Sequence, residues 1–264
     1  MSENAYTPEW FSHQSQDSVD SAKIVVPIIL EKYRPTSVIE FGCGVGAWGS
    51  IFIKNGISKY IGVDGSYINP GQLLFDGAFF RTQDLNESKF IEKFDLCLCL
   101  ETAEHIVEEN ARQLVATLCN SANVIVFSAA IPSQSGTNHV NERWQTYWAS
   151  IFQEFGFEAD TKLREELWLD GTVSWWYIQN LVTYKKVAHV PSIPITLDVV
   201  HPRAYEYLAF DRDQRLQERD WAVYERDFAR KEISNHTSYF AFLDLLRIVR
   251  RLATKARTKF KNLH

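Results

Sequence analysis

Three side chains that could carry acid–base or metal chemistry follow a strongly apolar segment of the sequence. The run of residues 94–100 ends at Glu101, and Glu104 and His105 come directly after it. Mixed carboxylate and imidazole groups suit a divalent cation such as Mg²⁺, Mn²⁺ or Zn²⁺, and a histidine also suits a general base. An acid followed by histidine equally suits a helix start, where the helix dipole favours the carboxylate. The remaining sequence must decide among these interpretations.

A glycine-rich loop precedes these residues. EFGCGVGAWG, residues 40–49, directly follows the short apolar segment SVIEF and opens a predicted helix. Glycine permits positive φ and lets a backbone approach a ligand at a helix N-terminus. Gly42-x-Gly44 alone fits a dinucleotide site, so an NAD-dependent oxidoreductase stays open here. Glu40 favours another ligand, because its carboxylate would repel a pyrophosphate and attract an ammonium group.

The elements that position these residues are predicted from apolar runs that alternate with helical patterns. Strands are predicted at residues 37–41, 59–64, 79–85, 94–101 and 122–130, and helices at 19–33, 47–56, 108–119 and 143–155. Such alternation indicates an α/β fold with a mostly parallel sheet. The segment TVSWWYIQNLVTY, residues 172–184, has strand composition and is expected to end the sheet.

The composition is that of an ordinary globular protein. The chain has 264 residues and a formal net charge of −5. Its four cysteines show no paired spacing, which favours buried thiols in a reducing compartment. We expect neither a signal peptide nor a membrane span, and therefore a cytoplasmic protein.

The charge is distributed unevenly between the body and the end of the chain. Residues 245–264 carry seven Lys or Arg and no acid, so the first 244 residues carry −12 and should not bind nucleic acid. We place a domain boundary near residue 188, which separates residues 1–188 from a linker and helical extension at 189–264. The tail has a basic amphipathic pattern that could lie on an anionic membrane or a glycan-assembly partner, pack on its own domain, or form a homo-oligomer. Its apolar stripe comprises Phe242, Leu246, Val249, Ala253, Ala256, Phe260 and Leu263.

The glycine loop and two later acids together resemble the class I S-adenosylmethionine-dependent methyltransferases, over residues 20 to 185. The acids are Asp64, which ends YIGVD, and Asp84, in TQDL. The resemblance implies a Rossmann-like, mostly parallel seven-stranded sheet with helices on both faces, followed by the helical extension. It implies that the loop holds the methionine end of S-adenosylmethionine, Asp64 the ribose hydroxyls and Asp84 the adenine. The implied cofactor-binding residues are Glu40, Gly42, Gly44, Gly46, Asp64, Asp84, Leu85 and Glu101.

Glu101-x-x-Glu104-His105 also resembles the motif of small-RNA 3′-end methyltransferases and of ubiquinone-pathway O-methyltransferases. In those families two carboxylates and two histidines hold a divalent ion that chelates adjacent substrate hydroxyls. A further histidine is then needed, and His139 in SGTNHVNERW supplies it. This implies a Mg²⁺ or Mn²⁺ site of Glu101, Glu104, His105 and His139. Two interpretations remain beside it, namely that His139 or His105 is a metal-free general base, or that these residues are structural.

The loop at residues 132–144 is expected to cover the substrate. Asn138, Asn141 and Glu142 are candidates to fix the His139 tautomer or to bind sugar hydroxyls. The pattern GTxHVNExWxxYW, with WWYxQN at 175–180, resembles a bacterial methyltransferase subgroup linked to surface polysaccharides. That resemblance implies O-methylation of a nucleotide sugar or a growing glycan, with Trp175, Trp176 or Tyr177 stacking on the sugar. A catechol or other small diol, an N-acceptor and a non-catalytic glycan-assembly protein remain alternatives.

Overall fold

The fold is built on one seven-stranded sheet. The computed structural model describes residues 8–87, 92–189, 191–193 and 195–261. The strands are β1 Ser37–Phe41, β2 Lys59–Asp64, β3 Phe80–Thr82, β4 Leu96–Leu100, β5 Val124–Ser128, β6 Phe157–Asp160 and β7 Val182–Lys186. They are ordered β3-β2-β1-β4-β5-β7-β6, and only β7 runs antiparallel to its neighbours. The predicted Rossmann-like sheet is confirmed.

Helices cover both faces of the sheet. Successive side chains of a strand point to opposite faces, so each buried apolar strand gives both faces apolar side chains that helices can cover. In β4, Cys97 and Cys99 pack in a core with the helices Glu108–Ser121 and Gln145–Glu154, whereas Leu96 and Leu98 pack in a second core with the helices Pro8–Tyr33, Ala47–Lys54 and Trp175–Asn180. The helices are α1 Pro8–Tyr33, α2 Ala47–Lys54, α3 Glu108–Ser121, α4 Gln145–Glu154, α5 Lys162–Leu167, α6 Trp175–Asn180 and α7 Pro202–Lys261. Two apolar layers therefore fix the direction in which the strand ends point.

The prediction for residues 172–184 was wrong in its first half. Trp175–Asn180 form helix α6, and strand β7 begins only at Val182. Aromatic and β-branched residues favour strands, but tertiary packing overrides that preference, since Tyr177 and Ile178 are buried in the second core. The edge strand β6 was not predicted, because its sequence FEAD contains no apolar run and only Phe157 is fully buried.

The chain divides into two compact units later than predicted. The first unit comprises Met1–Glu206 and the second Tyr207–His264. The segment that resembled a linker belongs to the first unit and is held there by hydrogen bonds. Asp198 accepts from the Thr146 backbone at 2.8 Å, and the His201 backbone donates to Gln179 at 2.9 Å. Proline content alone therefore does not mark a domain boundary here.

The second unit is formed by the larger part of α7. Three residues of the predicted apolar stripe have described side chains. Phe242, Leu246 and Val249 are 57%, 40% and 54% exposed. The stripe residues Ala253, Ala256, Phe260 and Leu263 lie outside the described side chains. Across the described residues, no helix has the length and apolar character to cross a bilayer. The membrane or partner role of this tail stays a prediction.

Candidate active site

A cleft of about 720 Å³ opens at the carboxyl ends of the parallel strands. Ligands of open α/β sheets bind at this edge. The glycine loop after β1 and the ends of β2 and β4 form its floor. Among the other lining residues are Ser18, Trp48, Asp84, His105, Asn138 and Tyr177.

The glycine loop needs its glycines for different reasons. Gly42 and Gly46 adopt φ of 76° and 86°, and a Cβ on either would lie 2.1 Å from Thr102 Oγ1 or the Phe75 ring. Gly44 also has a positive φ, of 53°, but a Cβ there would meet nothing within 4 Å. Gly44 therefore leaves bare backbone and open space at the cleft, where a ligand can approach closely.

Glu40 lies beneath this loop and is almost completely buried. Its carboxylate accepts a hydrogen bond of 2.5 Å from the Tyr60 hydroxyl. Burial raises the pKa of Glu40 to about 8, although the Tyr60 hydrogen bond opposes the shift. A cationic group bound in the cleft would favour the ionised carboxylate.

The other predicted cofactor-binding acids also reach the cleft. Asp64, at the end of β2, accepts 2.7 Å hydrogen bonds from the backbones of Gly44 and Gly65 and a further one from the Tyr67 hydroxyl. Burial raises the pKa of Asp64 against these three donors. Asp84 also lines the cleft and is exposed, next to buried Leu85. The structure thus brings the predicted ribose and adenine contacts to one cavity.

A second group of side chains lies beside the cleft. The ligand atoms of Glu104, His105 and His139 all lie within 4.8 Å of one another. Glu104 is buried, and neither oxygen of its carboxylate has a hydrogen-bond partner by distance and angle, although the nearby backbones of Glu104 and Ala130 favour its ionised form. Burial, followed by the neighbouring Glu101, raises the pKa of Glu104 well above its usual value. The same burial lowers the pKa of His105 to about 4, so this ring is neutral and has a free lone pair at pH 7.

Glu142 orients His139 within this group. Its Oε1 lies 2.9 Å from His139 Nδ1, and its Oε2 accepts from the Ser133 backbone at 2.8 Å. With the proton on Nδ1, the Nε2 lone pair faces Glu104 Oε1 at 4.0 Å. Of the three tautomer candidates, Glu142 makes this contact, whereas Asn141 accepts from Arg143 and Asn138 offers its carbonyl to His105.

Glu101 does not join the other three predicted metal ligands. Its carboxylate accepts hydrogen bonds from the side-chain amides of Gln134 and Asn180 and lies outside the group of Glu104, His105 and His139. Glu101 lines the cleft instead. Sequence reasoning missed both amide residues, because no motif or spacing connects them to Glu101.

The cleft has further polar groups at its inner end. The Tyr177 hydroxyl lies 2.9 Å from Ser18 Oγ, and the Trp48 ring packs edge-on against Tyr177 at 5.0 Å. Tyr177 thus lines the cleft from a helix and not from a strand, unlike Trp175 and Trp176, which are only half-buried outside it. Sequence reasoning named Tyr177 but not Ser18 or Trp48.

A family model described as a methyltransferase domain matches residues 20–162. The chain belongs to this family. The match covers the glycine loop, the three acids and the Glu104–His139 group, and it decides against an oxidoreductase. The chain therefore contains a methyltransferase domain. No curated protein matches the sequence.

Solved structures share the fold at low sequence identity. A candidate O-methyltransferase from Nostoc punctiforme is 13% identical with a TM-score of 0.50, and the match covers 67% of this chain and 59% of that one. Magnesium protoporphyrin IX methyltransferase from Synechocystis is 18% identical with a TM-score of 0.48, over 66% and 84%. An amino pentose methyltransferase from Micromonospora echinaspora is 12% identical with a TM-score of 0.48, over 69% and 98%. At 13% identity, the match to the Nostoc punctiforme structure establishes the fold alone.

Proposed function

We propose that the protein methylates a hydroxyl of a sugar, in a nucleotide sugar or a growing surface glycan, with the help of a divalent cation. The observation that carries the proposal is the buried Glu104 carboxylate, which lacks a hydrogen-bond partner and faces two histidines beside the cleft. Buried carboxylates are normally paired or bind metals, because an unpaired buried charge is costly. The sugar class is supported by the sequence resemblance of the segment at residues 136–148.

The cleft fits S-adenosylmethionine. Gly44 leaves open space beside its backbone, Glu40 offers a carboxylate for an ammonium group, and Asp64 and Asp84 offer acceptors for hydroxyl and amino donors. When bound, the cofactor supplies a methyl group on a positively charged sulfur, which an oxygen nucleophile can displace. The protein residues need then only bind, orient and deprotonate the acceptor, since proximity supplies much of the rate.

The three-residue group fits a divalent cation such as Mg²⁺ or Mn²⁺. Glu104 would provide a carboxylate oxygen and His105 and His139 would provide imidazole nitrogens. A cation bound there would lower the pKa of a coordinated hydroxyl and hold two adjacent hydroxyls in place. Three protein ligands leave coordination positions for such a diol.

His139 is the residue that would receive or direct the acceptor proton. Glu142 holds its Nδ1 proton, so that Nε2 keeps its lone pair toward Glu104. The same Nε2 atom serves either as a cation ligand or, without a cation, as the general base. The two versions of the mechanism therefore differ in their response to a chelator.

The test is release of S-adenosylhomocysteine from S-adenosylmethionine over a panel of nucleotide sugars and glycan acceptors, with and without EDTA. We expect turnover with a sugar acceptor, loss of turnover in EDTA and recovery with Mg²⁺ or Mn²⁺. Turnover that is indifferent to EDTA would reject the cation and leave His139 as base. Turnover with a catechol or an amine alone would reject the sugar as acceptor. Absence of turnover by the wild-type protein with every acceptor would favour a non-catalytic binding role.

A further inference from the structure

The carboxylate of Glu101 is fixed by an amide clamp formed by Gln134 and Asn180. Asn180 Nδ2 lies 3.1 Å and 3.3 Å from the two carboxylate oxygens, and Gln134 Nε2 donates at 3.2 Å. The clamp is itself oriented, since Gln134 Oε1 accepts from Asn180 at 3.0 Å and from Gln179 at 3.1 Å. Burial raises the pKa of Glu101 to about 7, and the hydrogen bonds from Ser128, Asn180 and Gln134 oppose this shift, so the carboxylate is largely ionised at pH 8. The two amides also give the carboxylate one direction.

The backbone of Glu101 also indicates a functional position. Its φ of 48° lies in the left-handed region, which costs a non-glycine residue about 1 kcal/mol or more. Such strain persists where surrounding structure over-determines it, and it clusters at ligand sites. Here the clamp and the bond from the Glu101 backbone to Ser128 at 3.0 Å hold the conformation.

Glu101 lies between the glycine loop and the proposed acceptor site. The next residue, Thr102, packs so tightly on Gly42 that a Cβ there would lie 2.1 Å from Thr102 Oγ1. The residues that follow, Glu104 and His105, belong to the group proposed to orient the acceptor. In the proposed function the methyl group passes between these two places, which would put Glu101 beside the reacting sulfur.

The cleft has one more carboxylate than the three that the proposed function matches to cofactor groups, and this carboxylate is Glu101. Among the described lining residues are the carboxylates Glu40, Asp64, Asp84 and Glu101, but no Lys or Arg. The first three match the ammonium, ribose and adenine groups of the cofactor in the proposed function. The remaining positive charge of the cofactor is the sulfonium sulfur, and the remaining carboxylate of the cleft is Glu101.

We propose that Glu101, positioned by Gln134 and Asn180, selects the positively charged methyl donor over its neutral product. The carboxylate attracts the charged sulfur of S-adenosylmethionine, and this attraction is lost when the methyl group leaves and the sulfur becomes neutral. S-adenosylhomocysteine is then bound less tightly and is released. This inference rests on the proposed function, because it takes the cleft as the cofactor site.

The test is a comparison of binding constants by isothermal titration calorimetry at pH 8 in EDTA. The probes are S-adenosylmethionine, S-adenosylhomocysteine and sinefungin, an analogue whose amine carries a positive charge near the sulfur position. We expect E101Q to weaken binding of both charged probes about tenfold, which corresponds to 1.4 kcal/mol. We expect the same substitution to leave S-adenosylhomocysteine within about twofold.

Variants of the clamp separate positioning from folding. N180L and Q134L should weaken the charged probes by about threefold to tenfold, and should not weaken S-adenosylhomocysteine. Q145L is the matched control, because Gln145 is an equally buried amide that donates to the Gln179 and Val199 carbonyls and makes no hydrogen bond to Glu101. Q145L should change the binding of no probe. Thermal melting of every variant checks that it is folded.

The outcomes distinguish this inference from the proposed function. Equal loss of all three probes in E101Q would overturn charge selection, as would no loss of any. An effect of Q145L as large as that of N180L would overturn the clamp as a positioning device. If wild-type protein bound none of the probes, the cofactor assignment itself would fail.

Discussion

His139 Nε2 lies 4.0 Å from Glu104 Oε1, and neither oxygen of that buried carboxylate has a hydrogen-bond partner among the described residues. His105 completes the group, with its ring 5.0 Å from that of His139 and nearly perpendicular to it. Three ligand-type atoms thus face one another beside the cleft. A cation between them would favour the ionised form of Glu104, whose pKa is raised when no positive charge is near.

E104Q should weaken cation binding and stabilise the metal-free protein. We expect the Mn²⁺ dissociation constant, measured by electron paramagnetic resonance, to rise at least tenfold. In EDTA at pH 8, E104Q should melt at a higher temperature than wild type, because the raised pKa of Glu104 shows that ionising this buried carboxyl opposes folding. E101Q is the control and should bind Mn²⁺ within about threefold of wild type, since Glu101 lies outside the group. Equal losses in E101Q and E104Q would show a four-ligand site.

The raised pKa of Glu40 predicts that the folded protein becomes less stable as the pH rises. Its pKa is about 8 in the folded protein against an ordinary 4.5, so the folded state binds the proton more tightly than the unfolded state. The free energy of unfolding should therefore decrease between these two pH values, and E40Q should reduce the decrease. Urea unfolding at pH 5, 6, 7 and 8 measures the difference. E31Q, at an exposed acid of α1, should leave the pH dependence unchanged, and a slope in E40Q equal to that of wild type would contradict the assignment.

The affinity for S-adenosylhomocysteine should change with pH in the opposite direction. The ligand's ammonium favours ionised Glu40, so binding should tighten as the pH rises toward 8. E40Q should bind more weakly at pH 8 and lose this dependence. Calorimetric titrations at pH 6 and pH 8 provide the comparison, and an unchanged ratio of the two affinities in E40Q would argue against an ammonium contact.

The parts of the site that could be predicted from sequence are those on short continuous segments. Glu40 is the last residue but one of β1 and Asp64 is the last residue of β2, so their arrival at one sheet edge follows from parallel pairing. The grouping of Glu104 with His139 required a resemblance, because the loop from residue 132 to residue 144 has no regular structure from which a direction can be deduced. The amide clamp on Glu101 could not be predicted, because Gln134 and Asn180 come from a loop and a helix end that only tertiary packing brings together.

Substitution by alanine at two glycines with positive φ should have different effects on ligand affinity. Gly44 and Gly56 both have positive φ, and a Cβ on either would meet nothing within 4 Å. Each substitution should therefore cost about 1–2 kcal/mol of stability from the left-handed backbone alone. Only G44A should also weaken S-adenosylhomocysteine binding, at least tenfold, because its methyl group would enter the cleft. Equal ligand affinities for the two variants would show that the ligand does not approach the loop at Gly44.

Gly42 should behave differently from both. A Cβ at Gly42 would lie 2.1 Å from Thr102 Oγ1, and Thr102 is buried and bonded to the Leu100 carbonyl at 3.0 Å. We expect G42A to lose about 1–3 kcal/mol more stability than G44A, because overpacking adds to the backbone strain. Chemical unfolding of the three alanine variants orders them, and G42A as stable as G56A would mean that the contact with Thr102 relaxes freely.

Removal of the Glu142 carboxylate should weaken cation binding through His139. Glu142 accepts from His139 Nδ1 at 2.9 Å, which directs Nε2 toward Glu104. Residues that orient a ligating histidine typically contribute tenfold to a hundredfold in metal affinity, and we expect this loss of Mn²⁺ affinity in E142L. E142Q should retain more of the affinity, because its amide oxygen can still accept from Nδ1. E108L is the matched control, since Glu108 pairs with Arg143 nearby but makes no contact with His139. Equal Mn²⁺ affinities for E142L and E108L would show that Glu142 supports only the loop and does not orient the histidine.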